Sequence, residues 1–234
     1  MKTPPIIVAH RGMHYAFPEN SVAAFDAAIG EGFWVECDVH ASRDGQPIII
    51  HDDTLDRTAQ GSGRVDALDA AALGQVRLRG SDQSVPTLER ALRSRPGESG
   101  WLVEIKPPAA RDLVRRVVNL LVRTETWWMV QSFDERNVRE LWDYHPQAAG
   151  ALLIDEPDAL ERAIADHWPA VHLEHSLLSS DIYDRLRQHD AAIGVWTVND
   201  SPDIRRMLEL GVDMIITDEP QRVRDATDSI KSGR

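Results

Sequence analysis

Seven residues that can do chemistry sit where short apolar runs end. "IIVA" (6–9) leads into His10 and Arg11, "WVECDV" (34–39) contains Glu36 and Asp38, "PIII" (47–50) leads into His51, and "WLVEI" (101–105) contains Glu104 and leads into Lys106. Side chains alternate along a strand, so Glu36 and Asp38 share one face while Val35, Cys37 and Val39 share the other, and Glu104 and Lys106 repeat the i, i+2 spacing. Carboxylates that converge in a dry pocket must each take up a proton or share a cation. A hard divalent ion with oxygen ligands, Mg2+ or Ca2+, suits such a set. Taken alone, Glu36 and Asp38 are equally well read as partners of Arg11 or Lys106 in a buried ion pair. Two strand-end histidines and two cations shift the balance, because metal, acid/base pair and phosphate-binding cations together describe phosphodiester cleavage.

The elements that must position these groups follow from the rest of the chain. Apolar runs rich in Val and Ile recur at 6–9, 34–39, 47–50, 101–105, 127–130, 150–154, 170–173, 193–198 and 214–217, and read as strands. Helical patterns lie between most of them. Val22, Phe25, Ala28 and Ile29 fall on one face, as do Leu113, Val117, Leu120 and Leu121; Ser201, Pro202 and Gly211 offer a cap, a first helical residue and a stop. Near-continuous apolar strands alternating with helices predict a parallel sheet covered by helices, and about eight repeats predict an α/β TIM (β/α)8 barrel. Active-site residues of such barrels occupy the C-terminal ends of the strands, where the seven residues lie. The alternation breaks between His51 and Pro86, a Gly-, Asp- and Ser-rich stretch with one weak helical piece at 66–76. It reads as a small insertion after the second strand (about 52–86) over one end of the barrel, with "PIII" as an additional short strand. The tail "TDSIKSGR" (227–234) is expected to fray.

The chain of 234 residues fits a single domain (1–234), with 42% apolar and 27% charged residues. A net charge of −12 and the lack of a long Lys/Arg run argue against nucleic acid as a partner. One cysteine, Cys37, leaves no disulfide framework or thiolate cluster. The N-terminal apolar run is too short for a signal peptide, and none approaches a membrane span, so a cytoplasmic protein without a stable membrane anchor is expected. No feature specifies an oligomeric state.

In order along the chain, "AHRG" (9–12), "PENS" (18–21), "ECD" (36–38), "DGQPIIIHDDTLDRT" (44–58), "VPTLERAL" (85–92), "EIKP" (104–107), "SF" (132–133), "VWTVND" (195–200) and "GVDMIITDEP" (211–220) resemble the signature of the glycerophosphodiester phosphodiesterases, most closely the compact bacterial type. The resemblance spans residues 6 to 220. It implies a metal-dependent hydrolase that turns a small-molecule glycerophosphodiester and water into sn-glycerol 3-phosphate and an alcohol. It implies Glu36, Asp38 and Glu104 as metal ligands, His10 and His51 as the acid/base pair, Arg11 and Lys106 as phosphate contacts, and Trp196 as an aromatic wall of the substrate pocket. A related barrel lyase that acts on lysophospholipids with release of a cyclic phosphate would use the same histidines and metal. A silent barrel that only binds phosphodiesters has no chemical reason to keep all seven groups.

For the remaining polar residues the expectations are structural. Asn20 and Ser21 read as helix caps, Glu19 as a brace for Arg11 or for the metal's surroundings, and Asp52 as a residue that turns its loop or orients a histidine. His40 reads as incidental polarity at the rim, and His14 and Tyr15 as part of a solvated loop. Ser132 and Phe133 are candidates for the pocket wall, and His172 and Glu174 lesser candidates for substrate contact. His145, His167 and His189 are expected at the surface, and Trp127, Trp128, Trp142 and Trp168 as packing groups.

Overall fold

A computed structural model describes residues 3–93 and 99–232. The elements are β1 (Ile6–Ala9), α1 (Val22–Gly30), β2 (Trp34–Ala41), β3 (Pro47–Ile49), α2 (Ala70–Leu73), α3 (Leu88–Ala91), β4 (Gly100–Ile105), α4 (Leu113–Leu121), β5 (Trp127–Ser132), α5 (Glu135–Tyr144), β6 (Gly150–Ile154), α6 (Pro157–Ala165), β7 (Ala170–Glu174), α7 (Ser180–Arg187), β8 (Ala192–Trp196), α8 (Ser201–Leu210), β9 (Met214–Thr217) and α9 (Pro220–Lys231). Eight strands, β1, β2 and β4 to β9, pair in parallel, and the β1–β2 pairing closes the ring. This is the TIM barrel that the alternation predicts. β3 lies outside the ring, antiparallel to the end of β2, with His40 opposite Ile48.

Strand parity sorts the core. Val35, Cys37 and Val39 face outward and are fully buried beneath the helices, in a cluster that includes Phe25, Trp101 and Val117. Phe25 and Trp101 meet edge to face at 5.3 Å, and truncating so large a buried ring typically costs about 3–5 kcal/mol. A second outer cluster, with Val138, Trp168, Val195 and Ile215, covers the other half of the ring. Inside, Val8, Leu102, Met214 and Ile216 form a small dry plug, against which Trp34, Met129 and Trp196 pack. This plug is the floor on which the polar groups of the opposite end rest.

Four expectations need correction. The stretch after His51 is more than a polar loop: Ile48, Ile50, Leu55, Ala59, Val65, Leu73, Leu78 and Val85 close into an apolar cluster of their own, tied by the bridges Thr54↔Arg64, Ala59↔Leu78 and Arg77↔Ser84. Irregular spacing among Gly, Asp and Ser hides these residues from periodicity. The tail does not fray from 227, because α9 buries Val223 and Thr227 and runs to Lys231; residues 233–234 lie outside the described residues. α8 starts one residue early, with Asp200 at the cap position and Ser201 already helical, while Gly211 ends it as expected at φ 81°. Trp127 is no packing group: it is the first residue of β5, at the N-terminal rim of the ring, and is 73% exposed, whereas Trp168 is buried.

Candidate active site

The turn after β1 assembles the first part of the site. Arg11 and Gly12 both adopt positive φ, 56° and 78°. A side chain at Gly12 would bring its Cβ within 2.7 Å of the Ala24 backbone, so only glycine lets this turn press against α1. The pressed turn aims the Arg11 N–H at Glu36 Oε2, 2.9 Å away, and sets the guanidinium against Asp38 (Nε to Oδ2, 3.3 Å) and Glu19 (Nη1 to Oε1, 3.0 Å). Glu19 therefore braces Arg11. Ser21 caps α1 by accepting the Ala24 N–H. Asn20 does more than cap: its amide donates to Asp38 Oδ2 at 2.7 Å and its carbonyl oxygen accepts the Asp38 N–H at 3.3 Å, which fixes that carboxylate.

β2 and β4 are in a register that puts Asp38 beside Glu104. Glu36, Asp38 and Glu104 are all buried, and each offers an oxygen within 4.8 Å of the others. Burial and the neighbouring charges of Asp38 and Glu104 push the Glu36 carboxyl well above the ordinary range. Burial, then Asp38, raises Glu104 to about 7, against the pull of Lys106. Burial also acts on Asp38, but Lys106 and Arg11 outweigh it and hold this carboxyl below the ordinary value. Lys106 Nζ lies 2.7 Å from Glu104 and 3.4 Å from Asp38, close enough for ion pairs, yet Glu104 Oε1 receives no well-directed hydrogen bond. Glu36 Oε1 is buried with no partner. Three hard oxygen donors, one orphaned, and two carboxyls that resist ionising fit a divalent cation, which would supply what these groups lack.

Each histidine rests its Nδ1 on a carboxylate. His51 does so on its neighbour Asp52 at 2.7 Å. Arg57, from the insertion, grips Asp52 with Nε at 2.7 Å and Nη2 at 2.9 Å, and reaches Glu19 with Nη1 at 2.8 Å. Arg57 and the histidine drive the Asp52 carboxyl far below its ordinary value. Burial lowers the His51 pKa despite the opposing pull of Asp38 and Asp52. His40 is not incidental, since its Nε2 meets the His51 carbonyl at 3.0 Å and so secures the backbone that carries His51. His10 rests on Asp218, just past β9, also at 2.7 Å. The same Asp218 oxygen takes His14 Nε2 at 2.8 Å, and its other oxygen accepts the Asn199 amide at 2.7 Å. Despite burial, these donors hold Asp218 far below the ordinary carboxylate range. His14 is thus tied down rather than part of a free loop, while Tyr15 is exposed.

These groups enclose a cavity of about 150 Å3 lined by His10, Arg11, Glu36, His51, Glu104, Lys106, Gln131, Phe133, Trp196 and Thr197, with Leu153 and Ile216 beneath. Seven of the eight residues singled out in sequence line it. Asp38, the eighth, lies behind Arg11 and Lys106. Phe133 packs edge to face on Trp196 at 5.5 Å, and Trp196 Nε1 donates to the His172 carbonyl at 2.9 Å. Ser132 is no wall residue: it is buried, donates to the Ile105 carbonyl at 2.7 Å and accepts from Asn137. His172 does not reach the cavity either. It fills the barrel interior where Gly194 leaves room, since a Cβ there would lie 2.4 Å from the ring, and burial pushes its pKa down to about 4. Its Nδ1 meets Gln131 Oε1 at 2.6 Å, and Gln131 itself lines the cavity. Glu174 turns back to accept the Ser176 N–H at 3.0 Å.

Sequence reasoning missed Asp218, Asn199, Arg57 and Gln131 as site residues. Asp218 follows a strand end, the positional signal that exposed His10 and His51; Asn199 and Gln131 sit near strand ends, and Arg57 carries no such signal. Among the described residues, no helix is long and apolar enough to cross a membrane.

The glycerophosphoryl diester phosphodiesterase family profile matches residues 10–222, which hold all the polar groups of this candidate site. YhdW of Bacillus subtilis, provisionally named a glycerophosphodiester phosphodiesterase, is 32% identical over 235 residues, covering 92% of this chain and 94% of that protein. The glycerophosphodiester phosphodiesterase of Caldanaerobacter subterraneus is 28% identical over 240 residues, covering 94% and 96%. A phosphodiesterase of Oleispira antarctica, solved in complex with the product sn-glycerol-3-phosphate, superimposes with a TM-score of 0.86 at 25% identity, over 97% of this chain and 98% of that one. With its barrel, its buried carboxylates and its two strand-end histidines in place, the chain belongs to the glycerophosphoryl diester phosphodiesterase family.

Proposed function

We propose that the protein hydrolyses glycerophosphodiesters to sn-glycerol 3-phosphate and an alcohol, with His10 and His51 transferring protons and a divalent metal, Mg2+ or Ca2+, held by Glu36, Asp38 and Glu104. The observation that carries this reading is the pair of histidine–carboxylate dyads at a small cavity shared with Arg11, Lys106 and the buried carboxylates. A bound divalent ion supplies positive charge for the non-bridging phosphate oxygens. Arg11 and Lys106 add fixed positive charge on the same side, where charge grows as the phosphorus is attacked. With Nδ1 engaged by Asp218, His10 has Nε2 free to take a proton from the attacking oxygen, which is water or the glycerol 2-hydroxyl. Burial lowers the His51 pKa in the free protein, and the negative charge of a bound phosphodiester favours its protonated form, which then donates to the departing alkoxide. Trp196 and Phe133 present an apolar wall to the glycerol carbons, and Gln131 lines the same cavity. A volume of about 150 Å3, below the roughly 300 Å3 at which pockets for drug-sized ligands begin, favours small deacylated substrates over lysolipids.

The test is phosphorus NMR of reactions with glycerophosphocholine, glycerophosphoethanolamine, glycerophosphoglycerol and a lysolipid, each with Mg2+ and with Ca2+. Glycerol 3-phosphate from a deacylated substrate is the expected product. A cyclic phosphate that persists would replace hydrolysis by the lyase reaction, and no turnover of any substrate would leave a silent phosphodiester-binding barrel.

A further inference from the structure

The carboxylate trio is not the sole cluster of metal-binding atoms among the described residues. His10 Nδ1, His14 Nε2 and Asp218 Oδ1 also lie within 4.8 Å of one another, all half-buried. The two groups differ in chemistry. The trio is all oxygen and nearly sealed, which suits a hard ion, whereas the second group offers two imidazole nitrogens and one carboxylate oxygen on the solvent side, the donor set of Zn2+ and its transition-metal neighbours.

From this geometry we infer that His10, His14 and Asp218 form a second, inhibitory metal site that takes Zn2+ or a similar borderline-soft divalent ion and silences His10. Three features carry it. Both imidazole nitrogens converge on the same Asp218 oxygen, at 2.7 Å and 2.8 Å, so three donors already share one point. The rings stand nearly perpendicular, at 82° with centroids 6.2 Å apart, so the nitrogens approach from different directions as a tetrahedral ion requires. The ligands of a tetrahedral zinc at about 2.05 Å stand about 3.3 Å apart. The oxygen–nitrogen contacts therefore need to open by only about half an ångström, and the fourth position is left to water. Asn199 holds the other Asp218 oxygen and fixes the carboxylate as an oriented ligand, as second-sphere groups do in metal sites.

The consequence for His10 follows from proton bookkeeping on one ring. A neutral imidazole has one proton and two nitrogens. A metal on Nδ1 displaces the proton from that atom to Nε2, where it blocks acceptance of another, and the attached cation opposes protonation further. His10 can then neither take a proton from the attacking oxygen nor return one at Nε2. Hard ions would fill the trio and support the reaction; zinc would take the second site and stop it. The binding part of this inference stands independently of the proposed reaction.

The test titrates Zn2+ by calorimetry into the intact protein with excess Mg2+, for the wild type, His14→Ala, His14→Gln and Glu36→Gln. Expected are one zinc that Mg2+ does not displace, an affinity at least about tenfold lower in both His14 variants, and no change in Glu36→Gln. Turnover, normalised to each variant's own zinc-free rate, should need at least about tenfold more Zn2+ for half inhibition in the His14 variants. Co2+ in place of Zn2+ should give the visible spectrum of a tetrahedral N/O site in the wild type and not in the His14 variants. Zinc affinity unchanged by both His14 substitutions, or zinc displaced by Mg2+ or lost with Glu36→Gln, would overturn the site. Undiminished turnover with zinc bound would overturn its inhibitory role.

Discussion

His10 and His51 make the same contact, Nδ1 to a carboxylate at 2.7 Å, but the two dyads are built in different ways. The His51 dyad is local: Asp52 is the next residue, and Arg57 from the same segment clamps it onto Glu19. The His10 dyad exists only because the barrel closes, since β1 pairs with β9 and brings Asp218 across 208 positions of sequence. Asp52 holds its neighbour His51 and one exposed arginine, while Asp218 holds together two histidines from the segment after β1 and an asparagine from the loop after β8. Equal geometry therefore conceals unequal dependence on the whole fold.

Experiments can break or sharpen that contrast. The largest effect is expected from His10→Ala and His51→Ala, each lowering kcat by about 10²- to 10⁴-fold with the circular dichroism spectrum retained. Near-normal turnover in either would leave a single working dyad. Next, Glu36→Gln, or excess chelator on the wild type, should lower kcat by about 100-fold while both dyads stay intact, showing that neither works without the cation. Without metal, Glu36→Gln should not lower Tm, because burial and the charges of Asp38 and Glu104 already disfavour the ionised carboxyl there. A large fall in Tm would mean that Glu36 is ionised and paired in the free protein.

Asp218→Asn and Asp52→Asn separate the dyads most directly. Both should lower kcat by about 10- to 100-fold by loosening a histidine, but only Asp218→Asn should also cost stability, about 1–3 kcal/mol in urea unfolding, because three donors lose a charged partner. Equal stabilities would remove the distinction between a local and a closure-built dyad.

The smallest effect on turnover is expected at His172, a histidine bonded to the Gln131 amide and not to a carboxylate. Its folded pKa is about 4 against 6.5 in the unfolded chain, so between these values the unfolded state binds more protons. Stability should therefore fall as pH drops from 6.5 through 4, by on the order of 3 kcal/mol in full. His172→Asn should flatten this acid slope and change kcat less than threefold. An unchanged slope would mean that His172 is not the group responsible.

The legible part of the site followed period-two geometry. Glu36, Asp38 and Glu104 were readable because charge on the inner face of an apolar strand is conspicuous, and His10, Arg11, His51 and Lys106 because they end such strands. Asp218 lies in "TDEP" at the end of the last strand, where nothing local ties it to His10; only strand order does. His14 and His40 looked incidental for the same reason, their partners being backbone or side chains that another strand delivers. Asn20 read as a cap because its type suits one, and its bond to Asp38 depends on the positive-φ turn that precedes α1. The insertion's own core escaped notice because its apolar residues are matched across turns and bridges, not at a fixed period.

The β1–β9 seam has a consequence for synthesis. On the ribosome the strand that closes the ring and the carboxylate that holds His10 emerge more than 200 positions after His10 itself. A nascent chain that ends before β9 can carry the whole carboxylate trio and the complete His51 dyad and still have an open ring with an unheld His10. If His10 acts as proposed, a chain that lacks β9 and Asp218 would be an idle hydrolase, not a leaky one.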